Sequence, residues 1–238
     1  MGTLMSDLRE YYQDYWKKRL ETDKDRLPPI REGLPSFLVP YAQYGSVLSL
    51  VPQGCKMADL GCGDGHVASL YAKVKGAQVS GLEMSEDAAA LARTKGVMAQ
   101  QWDLNQTPYP LESDAFDAIT TVDVLEHLIN PFSLLREAHR ALKPGGKLIV
   151  QVPNFARLDN RMRMALAGDP LDILHWGGYG DGIEHLHWFT KPKLGKFLQE
   201  AGFKEICFKP VGIPSFLFGW VGLHNLSRLL LVEAKKAV

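Results

Sequence analysis

Short apolar runs alternate along this chain with segments whose apolar positions recur at helical spacing. The apolar runs cover residues 56–60, 78–82, 97–102, 116–122 and 147–152. The helical segments between them begin at Gly65, Glu86 and Pro131, and Ser85 is the expected N-cap of the second of these helices. Strands that alternate with helices predict an α/β protein with a parallel, doubly wound sheet. Because such sheets bind ligands at the carboxyl ends of their strands, polar residues at those ends are the candidates for a site.

Both ends of the chain depart from this alternation. Apolar and aromatic residues recur at helical spacing between residues 6 and 20, and a proline-rich stretch follows at 27–40. We therefore expect residues 1–45 to form a helical lid over a single domain at 46–238.

The C-terminal part has the pattern of a sixth strand at 203–211 and a seventh at 227–234. Between them lies an apolar segment at 214–223. Such a segment packs into the core, lines a pocket for an apolar acceptor, meets a membrane surface or forms a dimer interface.

A glycine-rich turn follows the first predicted strand. Residues 59–65 are Asp-Leu-Gly-Cys-Gly-Asp-Gly, with glycines at alternate positions. Glycine tolerates positive φ and lets the backbone approach a ligand closely, so we expect a binding loop here. A dinucleotide site of the form G-x-G-x-x-G would need a glycine where this chain has His66, so the spacing disfavours NAD.

Two acidic residues follow at the ends of the next two predicted strands. Glu83 ends the second strand and is placed to accept hydrogen bonds from two ribose hydroxyls. Asp103 ends the third strand, where a carboxylate can accept a hydrogen bond from the amino group of an adenine. Either acid alone would also suit a helix N-cap or a solvated loop. Together with the glycine turn they indicate a nucleoside site.

The chain resembles the class I S-adenosylmethionine (SAM)-dependent methyltransferases, from Asp59 to about Val152 and more loosely to Val238. The matching motifs are the 59–65 turn, Glu83, the pair Asp103-Leu104, and the turn into the fifth strand at 142–150. The resemblance implies a Rossmann-like, doubly wound, mostly parallel seven-stranded sheet with helices on both faces. It also implies SAM as the cofactor and S-adenosyl-L-homocysteine as the product.

By the family pattern, Asp59 holds the motif turn and the backbone from Gly61 to Gly63 lies under the methionine part of SAM. The resemblance implies a ribose role for Glu83 and an adenine role for Asp103. The cofactor-binding residues that we expect are Asp59, Gly61, Cys62, Gly63, Glu83, Met84, Asp103, Leu104 and Val122.

Three residues after the fourth predicted strand have metal-ligand chemistry. If a helix begins near Asp123, then Asp123, Glu126 and His127 share one face, and two carboxylates with an imidazole suit a hard cation such as Mg²⁺. The stretch is similar to the acid-x-x-Glu-His segment that ubiquinone-biosynthesis O-methyltransferases link to a divalent ion, although here the first acid is the shorter Asp. Val-Leu-Glu-His also occurs in class I methyltransferases without metal, where the histidine lies beside the SAM pocket. We expect His127 there, as a catalytic candidate, and no resident metal.

The alternation is interrupted at 153–190, where this family usually builds its acceptor pocket. His185 and His187 alternate as on an extended segment and are general-base candidates, a role worth roughly 10²–10⁴-fold in rate. Alternatively, the segment anchors the next helix, for which Thr190 is the expected N-cap. The two histidines have no evident third ligand for a metal.

Composition limits the partners and the compartment. The chain has 27 Lys plus Arg and 27 Asp plus Glu, so it has no excess positive charge with which to bind a nucleic acid. Its three cysteines are odd in number and scattered, which argues against disulfides and for a reducing compartment. No apolar run reaches the ~18 residues of a membrane span. We expect a cytoplasmic protein with no transmembrane segment, of unspecified oligomeric state.

These observations predict a SAM-dependent methyltransferase that acts on an oxygen, or else a nitrogen or carbon, of a small molecule, which the apolar tail suggests is apolar or lipid-linked. The alternative is a SAM-binding accessory protein without turnover, similar to the methionine-biosynthesis W-type proteins. Histidines in the expected acceptor segment favour the enzyme.

Overall fold

The computed structural model describes residues 42–168, 185–209, 211 and 227–238, together with residues 13, 14 and 17. The helices are α1 (Ala42–Leu50), α2 (His66–Lys75), α3 (Glu86–Thr94), α4 (Pro131–Ala141), α5 (Leu158–Ala167) and α6 (Lys191–Glu200). The strands are β1 (Lys56–Leu60), β2 (Gln78–Glu83), β3 (Met98–Gln101), β4 (Phe116–Val122), β5 (Leu142–Pro153), β6 (Phe203–Lys209) and β7 (Leu229–Lys236).

The strands form one seven-stranded sheet in the order β3-β2-β1-β4-β5-β7-β6. The first five strands of that order run parallel, while β7 lies antiparallel to both β5 and β6. The strand order reverses between β1 and β4, which opens a crevice at their carboxyl ends. The predicted mostly parallel, doubly wound sheet is thus confirmed.

The central strands are buried on both faces, which is why they appear in the sequence as nearly continuous apolar runs. Side chains of one strand point alternately to the two faces, and each face has its own apolar core. One core includes Met57, Tyr71, Val79 and Ala118, and the other includes Leu60, Leu82, Ile119 and Leu148. The polar residues Asp59 and Thr120 lie at the crevice end of the first of these two faces.

Two helices start at the residues that the sequence indicates. The Ser85 side chain accepts a hydrogen bond from the Ala88 amide at the start of α3. The Thr190 side chain accepts one from the Lys193 amide at the start of α6. Each cap satisfies a backbone N–H that has no partner inside its own helix.

The expected boundary between the lid and the domain, at residue 45, lies inside helix α1. Residues 13, 14 and 17 are helical, as the spacing predicts. The rest of the expected lid up to residue 41, the loop at 177–182 and the apolar segment 214–223 lie outside the described residues. Among the described residues, no helix has both the length and the apolar character that crossing a membrane requires.

Candidate functional site

The glycine turn connects β1 to α2 at the crevice. Gly61, Gly63 and Gly65 have φ values of 82°, 55° and 74°, in the left-handed region that favours glycine. Packing adds a second requirement, because a Cβ on Gly61 would collide with the Val124 side chain and a Cβ on Gly65 would lie 2.6 Å from Ala92. The turn is therefore pressed against the residues that follow β4 and against α3.

Glu83, at the end of β2, fastens this turn. Its Oε2 accepts a hydrogen bond from the Gly63 amide at 3.0 Å, and its Oε1 accepts one from the Ser85 amide at 2.9 Å. Burial raises the pKa of the Glu83 carboxyl, while the two amide donors oppose that rise. Since a carboxylate oxygen can accept more than one hydrogen bond, both oxygens keep capacity for the hydroxyls of a ligand. The neighbouring Met84 carbonyl accepts from Gln101 at 3.1 Å.

Asp103 lies just beyond the end of β3 and is buried. Its Oδ1 accepts from the Asn105 amide at 2.9 Å, and its Oδ2 lies 3.4 Å from the side-chain nitrogen of Gln106. Leu104 is buried beside it, and the Leu104 carbonyl accepts from the Tyr109 hydroxyl at 2.7 Å. Asp103 and Leu104 therefore lie in a rigid turn at the same edge of the sheet as Glu83.

Asp59, the first residue of the motif, is buried at the end of β1. Thr120 on β4 donates its hydroxyl to Asp59 Oδ1 at 2.6 Å. Burial raises the pKa of the Asp59 carboxyl to about 6, and the Thr120 hydrogen bond opposes the rise. Asp59 thus connects the two strands between which the crevice opens.

Cys62 is a packing residue in this structure. It is buried, and burial raises the pKa of its thiol far above the ordinary value. A Cβ on Gly81 would lie 2.5 Å from its Sγ, so the thiol fills the space over β2. A thiol of this kind is a poor nucleophile, because the thiolate is the reactive form.

Asp123 does not begin a helix, so the expected common helical face of Asp123, Glu126 and His127 is wrong. Its φ is 54°, a left-handed conformation that cannot belong to a right-handed helix, and only a short 3₁₀ turn follows at Leu125–His127. Its carboxylate lies 3.3 and 3.4 Å from the side-chain nitrogen of Gln151 on β5, and burial raises its pKa to about 6. Val122, before it, is half-buried at the end of β4.

A cluster of reactive groups joins this turn to the segment before α6. One ligand atom each from Glu126, His127 and His185 lie within 4.8 Å of one another, and the two histidine rings are 4.8 Å apart. The Glu126 carbonyl accepts hydrogen bonds from the amides of Leu186 and His187 at 2.8 and 3.0 Å, which holds the two segments together. His185 thus joins Glu126 and His127 from a distant part of the sequence, a contact that the spacing did not predict.

The electrostatics of this cluster are unusual. Glu126 is 1% exposed, and neither of its carboxyl oxygens has a hydrogen-bond partner among the described residues. Burial, followed by the nearby Asp123 carboxylate, raises the pKa of Glu126 well above its ordinary value. Burial lowers the pKa of His185, which favours the neutral imidazole. Unsatisfied buried oxygens next to two imidazoles can accept a ligand, a proton or a cation.

His187 occupies a different place. Its Nε2 lies 3.4 Å from the Ile129 carbonyl oxygen, and its ring is 6.3 Å from that of Phe189. The structure therefore separates the two histidines that the alternating pattern treats alike.

Three arginines of the expected acceptor segment lie at its start. Arg157 pairs with Asp159 at 2.8 Å, and Arg161 and Arg163 are exposed on α5.

The sequence did not identify Thr120 and Gln151, the partners of Asp59 and Asp123. Neither residue belongs to a motif. The available signal was their position near the ends of β4 and β5, the strands that line the crevice. Which side chains meet there depends on the register of the strand pairing, in which Asp59 lies opposite Thr120.

Comparisons with known proteins agree with this geometry. A family model described as a methyltransferase domain matches residues 10–207. The ubiquinone biosynthesis O-methyltransferase of Pseudomonas aeruginosa (strain LESB58) is 34% identical over 157 residues, which are 63% of this chain and 64% of the relative. The match thus spans a little under two thirds of that protein's length.

Solved structures share the fold at low identity. A SAM-dependent methyltransferase from Mesorhizobium loti has a TM-score of 0.59 and 24% identity, and the match covers 82% of this chain and 97% of that one. Phosphoethanolamine N-methyltransferase 2 of Haemonchus contortus, solved with SAM, has a TM-score of 0.60 and 19% identity, covering 83% of this chain and 53% of that one. At these identities the likeness concerns the fold.

SAM is the cofactor of this group, and the crevice has the residues to receive it: a glycine turn, and acids at the ends of β1, β2 and β3. The family match extends over the strands and turns that build this crevice, and it includes the turn at 125–127. The chain therefore belongs to the class I SAM-dependent methyltransferase family.

Proposed function

We propose that this protein transfers the methyl group of SAM to an oxygen of a small-molecule acceptor. The observation that carries the proposal is the cluster of Glu126, His127 and His185, which lies beside the donor turn. The two are adjacent because Val124, one residue before the 3₁₀ turn, packs against Gly61. The O-methyltransferase relative supports oxygen as the acceptor atom. The accessory role is not favoured, because the matching family model describes a methyltransferase domain and the relative compared above is an O-methyltransferase.

For the donor, we assign the turn and the three strand-end acids to separate parts of SAM. The Asp59 region and the backbone from Gly61 to Gly63, with Cys62 beneath it, receive the methionine part. Glu83 and Met84 receive the ribose, and Asp103 with Leu104 receives the adenine. Val122 closes the crevice at the end of β4. These assignments are the ones that the resemblance to the family implies, and the position of the residues at the carboxyl edge of the sheet supports them.

When bound, SAM supplies a methyl group on a positively charged sulfur, which an acceptor oxygen displaces in line to leave S-adenosylhomocysteine. The chain has to hold the oxygen near that carbon, exclude water and accept the hydroxyl proton. His185 suits the last task, because its lowered pKa leaves the imidazole neutral and able to accept a proton near neutral pH. His127, whose ring lies 4.8 Å away, completes the polar wall of the acceptor site.

The surroundings of His185 favour an acceptor with an apolar part. Leu186 and Trp188 are about half exposed on the same segment, and Trp188 stacks on Phe155 at 5.6 Å. Ile129, whose carbonyl lies next to His187, is also exposed. Exposed apolar side chains beside a reactive site are a common feature of ligand-binding clefts.

A second candidate function for the same cluster is to bind a divalent cation. The specific observation is Glu126, whose two buried oxygens have no partner within the described part of the chain. A carboxylate and two imidazoles are ordinary ligands for such an ion, which would supply positive charge that favours an ionised acceptor hydroxyl. Glu126, His127 and His185 fit such a cation, and His185 is the third ligand instead of the expected Asp123.

The proposed function is tested by incubating the protein with SAM and a panel of phenols, alcohols and amines. S-adenosylhomocysteine and methylated product are followed by mass spectrometry. We expect O-methyl products, and a loss of about 10²–10⁴-fold in kcat for H185N. For H187N we expect a smaller loss. N-methylation of amines alone would refute oxygen as the acceptor atom, and binding of SAM without turnover on any acceptor would refute the enzyme.

The cation is tested by calorimetric titration with Mg²⁺ and with Mn²⁺. We expect binding to the wild-type protein and none to E126Q, which keeps the shape of the side chain but removes its charge. Wild-type affinity in E126Q, or full turnover in the presence of a chelator, would rule the cation out and leave His185 as the base.

A further inference from the structure

Thr120 and Asp59 form a buried pair that no motif contains. They lie directly opposite each other in the parallel pairing of β1 and β4. Thr120 is 0% exposed and Asp59 is 4% exposed. The Thr120 hydroxyl is 2.6 Å from Asp59 Oδ1, and no other side chain among the described residues donates a hydrogen bond to this carboxylate.

The rest of the surroundings disfavours a negative charge on Asp59. Burial is the largest effect, and the Glu83 carboxylate at the end of β2 adds repulsion. Cys62 in the turn and Tyr71 on α2 are the other titratable groups that interact with it. The Tyr71 hydroxyl is also buried, and the Thr120 hydroxyl interacts with it as well. Among the described residues, Thr120 provides the one interaction that favours the Asp59 carboxylate.

We propose that Thr120 is a positioning residue of the donor site, whose hydroxyl holds the Asp59 carboxylate in place and thereby sets the affinity for SAM. The donor has a positive sulfonium and a positive ammonium against one carboxylate, so its net charge is positive. A buried carboxylate beside the glycine turn attracts such a ligand strongly, because the surrounding dielectric is low. This role of Thr120 rests on the proposed donor site, but it does not require that methyl transfer takes place.

The test is calorimetric titration of SAM into four proteins at pH 7.5. T120V removes the hydroxyl but keeps the β-branched shape, and T120S keeps the hydroxyl. T121V is the matched control, because Thr121 is also 0% exposed on β4 but its hydroxyl has no partner among the described residues. Thr121 also points to the opposite face of the sheet. We expect about a tenfold weaker SAM affinity in T120V and near wild-type affinity in T120S and T121V.

The pH dependence separates positioning from a merely structural role. The pKa of Asp59 is about 6, so wild-type affinity should fall as the pH drops below that value and the carboxylate takes up a proton. In T120V the hydrogen bond that favours the charged form is absent, so the fall should begin at a higher pH. T120S should follow the wild type. D59N has no charge on this side chain at any pH, so its SAM affinity should not show the fall near pH 6. This test remains valid even if T120V does not fold.

Equal affinity and an unchanged pH profile in T120V would overturn the inference, as would an equal loss in T120V and T121V. A D59N profile identical to that of the wild type would overturn it too. Absence of SAM binding by the wild-type protein would refute the donor site itself, whereas binding without methyl transfer would refute only the proposed function.

Discussion

The close contact between the glycine turn and the residues after β4 leads to a prediction about Gly61. Its φ is 82°, and a Cβ at this position would collide with Val124, with the Cγ1 and Cβ atoms of that valine at 3.3 and 3.5 Å. Replacing Gly61 by alanine therefore adds two separate penalties. One comes from the backbone conformation and the other from the collision.

Each penalty has an expected size. A non-glycine residue in the left-handed region costs roughly 1–2 kcal/mol. An extra methyl group in a packed site costs roughly 1–3 kcal/mol more, since Val124 or the turn must move. We expect G61A to lose about 2–5 kcal/mol of unfolding free energy and to bind SAM more weakly, because the displaced turn is the donor loop.

The chain offers a matched control for the backbone penalty. Gly96 has a φ of 86°, almost that of Gly61, but a Cβ there would meet nothing within 4 Å. G96A should therefore lose only the conformational part, roughly 1–2 kcal/mol. The double variant G61A/V124A removes both methyl groups of the valine, and the penalty for G61A measured in the V124A background should fall to that of G96A.

Urea unfolding followed by circular dichroism gives the free energies, and calorimetry gives the SAM affinity. If G61A loses no more stability than G96A, the collision is absent and the close packing of the turn on Val124 is wrong. An unchanged penalty in the V124A background would lead to the same conclusion.

Three further predictions concern single side chains. D103A should weaken SAM binding by about 1–3 kcal/mol in calorimetry, because it removes a buried acceptor; unchanged affinity would refute the adenine assignment. D59N should unfold at a higher temperature than the wild type at pH 8, with the difference vanishing near pH 4. The reason is that folding raises the pKa of Asp59 from 3.8 to about 6. The buried charge therefore lowers the stability of the wild type progressively between these two pH values, and by its full amount above pH 6. A D59N protein that is less stable than wild type at both pH values would contradict this. S85A should lose about 1 kcal/mol of unfolding free energy, since the Ala88 amide at the start of α3 loses its cap, and an unchanged unfolding midpoint would show that the cap contributes nothing.

The sheet and the glycine turn were predictable for the same physical reason. The strands next to the crevice are buried on both faces, so their sequences are apolar and short, and the turns at their ends carry glycines and acids that few other local structures need. Gly61, Glu83 and Asp103 lie at the crevice because each directly follows a strand whose direction the alternation already implies. Caps at Ser85 and Thr190 were predictable because they depend on contacts within three residues.

The acceptor side was less predictable. The stretch after β4 has the composition of a helix, but the left-handed backbone conformation of Asp123 prevents a helix from starting there. His185 and His187 look equivalent in the sequence, yet only His185 reaches His127, because the two amides that bind the Glu126 carbonyl fix how that segment lies. The lid, the cytoplasmic location and the acceptor remain predictions.

By itself the sequence determined the class of fold, the number of strands and their succession along the chain, and the place of the glycine turn. These features follow from local periodicity and from turns between neighbouring elements. Only the tertiary structure decided which distant residues meet. The pairing of Asp59 with Thr120 depends on the register of two strands, and the grouping of Glu126 with His185 depends on how the chain returns to the crevice. Those contacts join residues far apart in the chain, and the packing of the whole sheet selects them. Local sequence patterns therefore cannot predict them.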